Sequence, residues 1–234
     1  MGAGVYGLLG FGVFYALVYV GLQEASAGSA AVLLSLAPLT TFLLAFAQRQ
    51  ERFRWRALLG ALVAVAGIVV MFGAPGAVPL GSVVVFLLAA VAVGEAGVIA
   101  KWFPKAHPVS MNAVAMGVGS VLLLVLSRVV GESWELPARA ATVTGFVYLI
   151  LLGSVGLFVL YLFILKRWSA SRTAYAFVLF PLVASLLGLW LEGDPITPAL
   201  ALGGVIVLGG VYIGALHGAM SETTAQEAAP QRES

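Results

Sequence analysis

The sequence predicts an all-α protein, a polytopic transmembrane helical bundle of about eight spans arranged as two inverted repeats. The first supporting observation is composition, since 62% of the 234 residues are hydrophobic and 9% are charged. A soluble domain carries roughly 25% charged residues. The apolar runs have the length of about 20 residues that a membrane-spanning helix needs, and they lack the alternation typical of a membrane β-barrel.

The second observation is an internal repeat, which sets the architecture of any chain that has one. Residues 27–67 return without a gap as residues 170–210, at an offset of 143 positions (170 − 27). Corresponding residues are Pro38 and Pro181, Glu51 and Asp194, Gly60 and Gly203, and Gly67 and Gly210. Each copy predicts two apolar helices joined by a polar turn, with a proline inside the first helix and glycines that let helices pack closely.

Taken in order, the predicted spans are 4–22, 30–48, 56–73, 79–100, 109–131, 142–165, 173–191 and 197–217. We expect residues 1–73 to form a first repeat that is incomplete, with three helices. Residues 79–217 form a second repeat that is complete, with five. The polar tail, 218–234, has no apolar period and is expected to be disordered.

The third observation is the position of the basic residues, which collect on the cytoplasmic side of membrane helices. Four arginines follow the proline helix of the first copy, at positions 49, 52, 54 and 56. In the second copy Lys166, Arg167 and Arg172 precede it. The two copies are therefore predicted to be inverted, a plan known from secondary transporters. We expect a multi-pass protein of the cell (inner or plasma) membrane with both termini cytoplasmic.

The two copies resemble the EamA-type repeat of the drug/metabolite transporter superfamily. The first carries residues 31–38 (AVLLSLAP), then Glu51 and Leu59-Gly60. The second carries Phe180-Pro181 and then residues 192–198 (EGDPITP), where the family usually has Glu at the place of Asp194. The resemblance implies ten helices in two inverted sets of five. The counterparts of spans four and five are not found ahead of the first span.

The function that this resemblance implies is secondary transport, expected to be export, of a small organic metabolite, an amino acid or a drug-like compound. Alternating access, with one repeat rocking against the other, would be the mechanism, and proton coupling is one option. The alternative is a truncated, non-transporting membrane remnant or an interaction protein that needs a partner or a homodimer.

The candidate cavity residues surround the two prolines. A proline inside a helix removes a backbone hydrogen bond and kinks the helix, and matching interruptions in two repeats indicate a binding site. We expect Pro38 and Pro181 to line a substrate cavity. Polar contacts are expected from Ser35, Thr41 and Tyr175, and stacking from Tyr161. The alternative is that the hydroxyls bond their own helix backbone and that Tyr161 packs or faces lipid.

The candidate coupling residue is Glu95, the only acid inside a predicted span. An intramembrane carboxylate is a functional hypothesis by default. Its alternatives are to reach the nearby interface or to pair with Lys101. The sequence predicts no catalytic cluster and therefore no enzyme, and no metal site or cofactor. The basic residues lie in turns and do not form a nucleic-acid footprint, so the expected partners are a small-molecule substrate and the lipid bilayer.

Overall fold

The computed structural model describes residues 2–73, 78–103, 107–134, 139–191 and 197–216, and every regular element in these ranges is helical. The helices are α1 Gly2–Leu22, α2 Ala27–Ala47, α3 Trp55–Phe72, α4 Leu80–Lys101, α5 Pro108–Val130, α6 Thr142–Arg167, α7 with its pieces Ala170–Ala174 and Ala176–Leu191, and α8 Pro198–Ala215. The predicted all-α polytopic bundle is confirmed.

Seven of the described helices, all but α7, are long and apolar enough to cross a membrane. The remaining predicted span, 173–191, coincides with α7, where the apolar stretch Ala170–Val183 is shorter. The turn that contains Asp194 and the predicted tail, 218–234, lie outside the described residues.

Hydroxyl side chains set the starts of α2, α7 and α8. Ser26 accepts a hydrogen bond from the backbone N–H of Ser29 at 3.1 Å, and Ser169 does the same for Arg172 at 3.4 Å. These two serines also correspond at the offset of 143 (169 − 26). Each satisfies a backbone donor that the first helical turn leaves free. The repeat therefore extends to the residues that begin the helices.

Glycines hold α3 against α8, as the sequence predicted. A Cβ atom added at Gly60 would lie 2.7 Å from the carbonyl oxygen of Gly210, and one added at Gly67 would lie 2.8 Å from that of Gly203. Only glycine allows backbones to approach so closely. The two contacts join corresponding positions, because adding 143 to Gly60 and Gly67 gives Gly203 and Gly210. The two helices run antiparallel. An inverted repeat requires this geometry, although the repeat assignment itself stays a prediction.

The helix α4 packs into the surface formed by α1 and α2. Its Ala89 and Val93 are buried together with Phe14 of α1 and Ala37 of α2, and Phe86 fills the space beside Gly21. Buried residues make up 56% of the apolar window of α4 but only 6% of that of α6. The core thus lies around α4, and α6 sits at the edge of the bundle.

The two prolines do not produce matching kinks, which corrects the sequence-based expectation. The helix α2 breaks at Ser35 and Leu36, and Pro38 is the second residue of the helical piece that follows. In α7 the interruption is at Tyr175, six residues before Pro181, and Pro181 lies inside a continuous helix. Proline is tolerated at the first turn of a helix because its missing N–H would be unpaired there.

Candidate substrate cavity and its closed end

A cavity of about 210 Å³ lies in the middle of the bundle, between α1, α2, α4, α6 and α7. Its lining residues are Gly10, Phe14, Tyr15, Ala31, Leu34, Val93, Phe158, Phe177, Phe180 and Pro181. None of these side chains is charged. The cavity is therefore suited to an apolar or aromatic group rather than to an isolated ion, because burying an unpaired charge is costly.

Both halves of the chain contribute matching side chains to this cavity. Tyr15 and Phe158 differ by 143 positions, and so do Leu34 and Phe177. The cavity therefore lies between corresponding positions of the two halves, where inverted-repeat transporters place their substrate sites.

Aromatic rings form most of the wall, and Phe177 is at their centre. Its ring centroid lies 6.2 Å from that of Phe14, 6.3 Å from that of Tyr161 and 5.6 Å from that of Phe180, each at a steep angle. Edge-to-face pairs of this kind are favourable beyond the area they bury. The sequence reasoning did not single out the phenylalanines, although the offset of 143 between Tyr15 and Phe158 was available as a signal.

Irregular helical turns precede the cavity residues in α1 and α6. Residues Leu8–Val13 and Leu149–Gly156 have π-helical hydrogen bonding. They occupy overlapping positions once 143 is added to the first range (151–156). Widened turns of this type recur at functional sites because they re-aim the residues that follow. Here Phe14, Tyr15 and Phe158 follow directly.

The predicted cavity residues are only partly brought together. Pro181 lines the cavity, whereas Pro38, Ser35 and Thr41 are buried beside it and are not among its lining residues. The Ser35 hydroxyl donates to the Val32 carbonyl at 2.6 Å, and the Thr41 hydroxyl donates to the Ala37 carbonyl at 2.6 Å. Both hydroxyls thus bond their own helix, which was the stated alternative.

The two predicted tyrosines border a different space. Tyr161 and Tyr175 line a groove of about 420 Å³ on the outer face of α6, α7 and α8. The buried Tyr175 hydroxyl donates to the Ala57 carbonyl at 2.9 Å and so ties α7 to α3. Tyr161 also contacts Phe177 of the central cavity, and Phe180 lines both spaces.

At the end of the bundle that carries most arginines, which we call the closed end, a buried carboxylate links two elements across the bundle. Glu51, in the turn after α2, accepts hydrogen bonds from the backbone N–H of Ser171 at 3.0 Å and from the Ser171 hydroxyl. Arg54 donates to the same carboxylate and to the Ser171 hydroxyl, both at 3.1 Å. An acid at the start of a helix is favoured by the helix dipole. This contact fixes the start of α7 against the α2–α3 turn.

Two further contacts close the same end. The Gln48 amide donates to both carboxylate oxygens of Glu95, at 2.8 and 2.7 Å. The Lys101 ammonium donates to the Leu165 and Trp168 carbonyls, each at 2.5 Å. Lys101 therefore caps the end of α6 and does not pair with Glu95. Sequence reasoning missed Gln48, since nothing in a polar residue at a helix end tells which helix it will meet.

Seven described helices that are long and apolar enough to cross a membrane, with an uncharged cavity among them, define a multi-pass membrane protein. The chain belongs to the EamA-like transporter family, whose pattern matches residues 1–73 and 80–215. This match confirms the predicted family, the multi-pass membrane location and the assignment of the chain as a transporter.

Several named relatives are similar to this chain. A protein of Streptantibioticus cattleyicolor named "Probable terminal-alkyne amino-acid exporter" is 32% identical over 211 residues, which cover 88% of this chain and 70% of the relative. An "Uncharacterized transporter" of Archaeoglobus fulgidus is 27% identical over 215 residues, 88% of this chain and 74% of the relative. An "S-adenosylmethionine/S-adenosylhomocysteine transporter" of Chlamydia trachomatis is 27% identical over 220 residues, which cover 86% of this chain and 66% of the relative.

A solved crystal structure shares the fold. It superposes with a TM-score of 0.74 at 20% sequence identity and covers 92% of this chain and 76% of the other.

Proposed function

We propose that this protein is a secondary transporter that exports a small organic metabolite, an amino acid or a drug-like compound by alternating access. The observation that carries the proposal is the central cavity, which is bordered by Tyr15 and Phe158 from matching positions, while the Glu51 and Lys101 contacts join helices at the Arg-rich end. A closed end on one side of a central site is one of the two states that alternating access requires.

The cavity lining favours a substrate with an apolar or aromatic body. Stacking on Phe177 and Phe180 would hold such a group, and the lining offers a hydroxyl only from Tyr15. The name of the Streptantibioticus relative, an amino-acid exporter, supports a substrate of this size and type. We assign transport because the chain belongs to the EamA-like transporter family.

The cavity assignment is tested with purified protein in proteoliposomes that contain single apolar amino acids. We expect Phe177→Ala to lower flux at least tenfold, since it removes the ring that touches three others. Phe163→Ala is the matched control, because this ring is 47% exposed on the outer side of α6. Equal losses of flux in the two variants would show that the cavity is not part of the transport path.

Glu95 is proposed to couple transport to protons. It is half-buried near the closed end, and its only hydrogen-bond partner among the described residues is Gln48. Protonation would remove the charge that holds the Gln48 amide and so loosen the contact of α2 with α4. We expect Glu95→Gln to abolish the dependence of flux on a pH gradient while the protein still inserts; an unchanged dependence would remove Glu95 from the mechanism.

The orientation is proposed from the basic residues, with both termini in the cytoplasm and the closed end facing inward. A reporter enzyme fused after Ser234 should be active in the cytoplasm. A periplasmic signal would reverse the assignment and with it the direction of the closed end.

A second candidate function, an assembly that needs a partner helix or a homodimer, is favoured by the groove on α6, α7 and α8. This groove is open in the single chain. The chain has no cysteine, so Leu160→Cys provides a single site for disulfide crosslinking in membranes. Leu160 is 58% exposed in the groove. A crosslinked dimer that is required for flux would support the assembly, and a fully active monomer would reject it.

A further inference from the structure

A third space opens between α1 and α5, at the end opposite the Glu51 contact. The helices touch at the start of α1, where Gly7 meets the backbone of Ala115 and Gly119 meets Phe11. Beyond these contacts they diverge and leave a groove of about 580 Å³ that faces the side of the bundle. The V shape follows from the small residues, which allow close approach at one end only.

The groove has an apolar body and an acidic mouth. Val20 and Leu124 line the body, and Gln23 and Glu132 stand at the mouth. Tyr19 lines the groove together with Glu132, and within the described ranges the Glu132 carboxylate has no ion-pair partner.

The basic residue four positions before Glu132 in the chain lies over an aromatic ring. Arg128 lies 3.7 Å above the centroid of Trp134, and the indole N–H of Trp134 donates to the Ser127 hydroxyl at 2.9 Å. A guanidinium held over an aromatic face is stabilised there. The Glu132 charge is therefore open to a cation that comes from outside the protein.

A single side chain separates the groove from the central cavity. Tyr15 lines both spaces, with its ring stacked near Phe11 at 6.5 Å and in edge contact with Phe14 at 5.1 Å. Tyr15 is 41% exposed, and it is the lining residue that the two spaces share.

We propose that this groove binds an amphiphile with one apolar tail and a cationic head group, and that it is a lateral entrance from the bilayer to the central cavity. The tail would lie between Val20 and Leu124, and the head group would contact Glu132 and Tyr19 at the depth where headgroups lie. An anionic head group is disfavoured by the same carboxylate. The role as an entrance rests on the proposed transport function, whereas binding does not.

The binding is tested by photolabelling of the full chain in nanodiscs of a zwitterionic lipid. The probe is dodecyltrimethylammonium with a diazirine near the end of its tail, and adducts are located by peptide mapping. We expect adducts of the cationic probe on α1 and α5. A sulfate probe with the same tail should give about two- to fivefold fewer adducts, because it loses the contribution of one exposed ion pair. Glu132→Gln should lower labelling by the cationic probe by the same factor. It should not lower labelling by the sulfate probe.

Two variants in adjacent positions test whether the groove itself is occupied. Ser120→Trp places an indole in the groove and should remove the adducts on α1. Val121→Trp adds the same group on a side that does not line the groove, where Val121 is 62% exposed, and should leave them unchanged. Equal labelling by both probes, or adducts that persist in Ser120→Trp, would show an ordinary lipid-facing surface and overturn the proposal.

The entrance is tested separately with Tyr15→Ala. We expect this variant to gain adducts on Phe158 and Phe177, which line the central cavity. Adducts confined to α1 and α5 would reject the entrance. Labelling requires no flux, so its result stays readable if the proposed transport fails, and flux of amino acids stays readable if the groove remains unlabelled.

Discussion

The two halves of the molecule present corresponding surfaces, but only the first surface is covered. The corresponding residues are Phe14 and Leu157, Leu17 and Leu160, Gly21 and Ile164, and Ala37 and Phe180. In the first half α4 lies over this surface and buries Phe14 and Ala37. In the second half the same positions line the open groove of about 420 Å³, where Phe180 is 41% exposed.

The comparison shows that the repeat determines which residues form the surface but does not determine whether another helix packs over it. In a membrane, lipid tails are as apolar as leucine, so the hydrophobic effect does not force a helix onto an apolar face. Polar atoms mark the covered surface instead. The Thr40 hydroxyl of α2 donates to the Ala90 carbonyl of α4 at 2.9 Å, and its counterpart in α7 is Val183, which has no donor.

The largest effect is expected where the corresponding helices of the two halves touch, at α3 and α8. Gly210→Val should cost about 3 kcal/mol or more, because an added Cβ would lie 2.5 Å from the backbone nitrogen of Ala64 and has no flexible neighbour to displace. Gly209→Val is the matched control, since nothing lies within 4 Å of a Cβ at that position. Thermal unfolding in detergent measures both, and equal stabilities would contradict the close contact.

The next effect concerns the carboxylate that joins the first half to the second at the closed end. Glu51→Ala should destabilise the protein by about 3 kcal/mol, since it leaves the Ser171 N–H without an acceptor and the Arg54 guanidinium without its carboxylate partner. Arg52→Ala, in the same turn but exposed, should change stability by less than about 0.5 kcal/mol. Proteolysis in the α2–α3 turn should accelerate in the first variant only; similar rates in both would argue against the contact.

A direct test of the covered and open surfaces compares the same substitution at corresponding leucines. Leu17→Ala should cost about 2 kcal/mol because Leu17 packs against the cluster under α4. Leu160→Ala should cost less than about 0.5 kcal/mol in detergent, because Leu160 is 58% exposed. If Leu160→Ala proves as costly as Leu17→Ala when unfolding is followed in native membranes, the groove is filled there by another helix.

The smallest effect is expected for the polar contact itself. Thr40→Val should cost about 0.6 kcal/mol, the average for a hydrogen bond between membrane helices. The reciprocal change, Val183→Thr, should leave stability unchanged because no helix faces it in the described structure. A stabilising effect of Val183→Thr in membranes would again indicate a covering helix.

Part of the candidate site could be predicted from the sequence. The offset of 143 marked Pro181 as a cavity residue, and it identified the glycines that join α3 to α8. It failed for Pro38, which is buried beside the cavity, and for the kink of α7, which falls at Tyr175. Because α4 covers only one half, corresponding residues of the two halves contact different neighbours. Matching repeat positions therefore do not have matching environments.

The sequence by itself determined that the chain is helical, membrane-embedded and repeated, while it placed the starts of α2 and α7 a few residues after the serines that cap them, Ser26 and Ser169. These properties depend on hydropathy, on local hydrogen bonding and on residue spacing, which a single segment carries alone. Only the tertiary structure decided that Phe177 stands at the centre of the cavity wall, that Gln48 holds Glu95 and that Lys101 caps α6. Side chains that face lipid and side chains that face the cavity are equally apolar, so their burial is set by packing and leaves no trace in the hydropathy pattern.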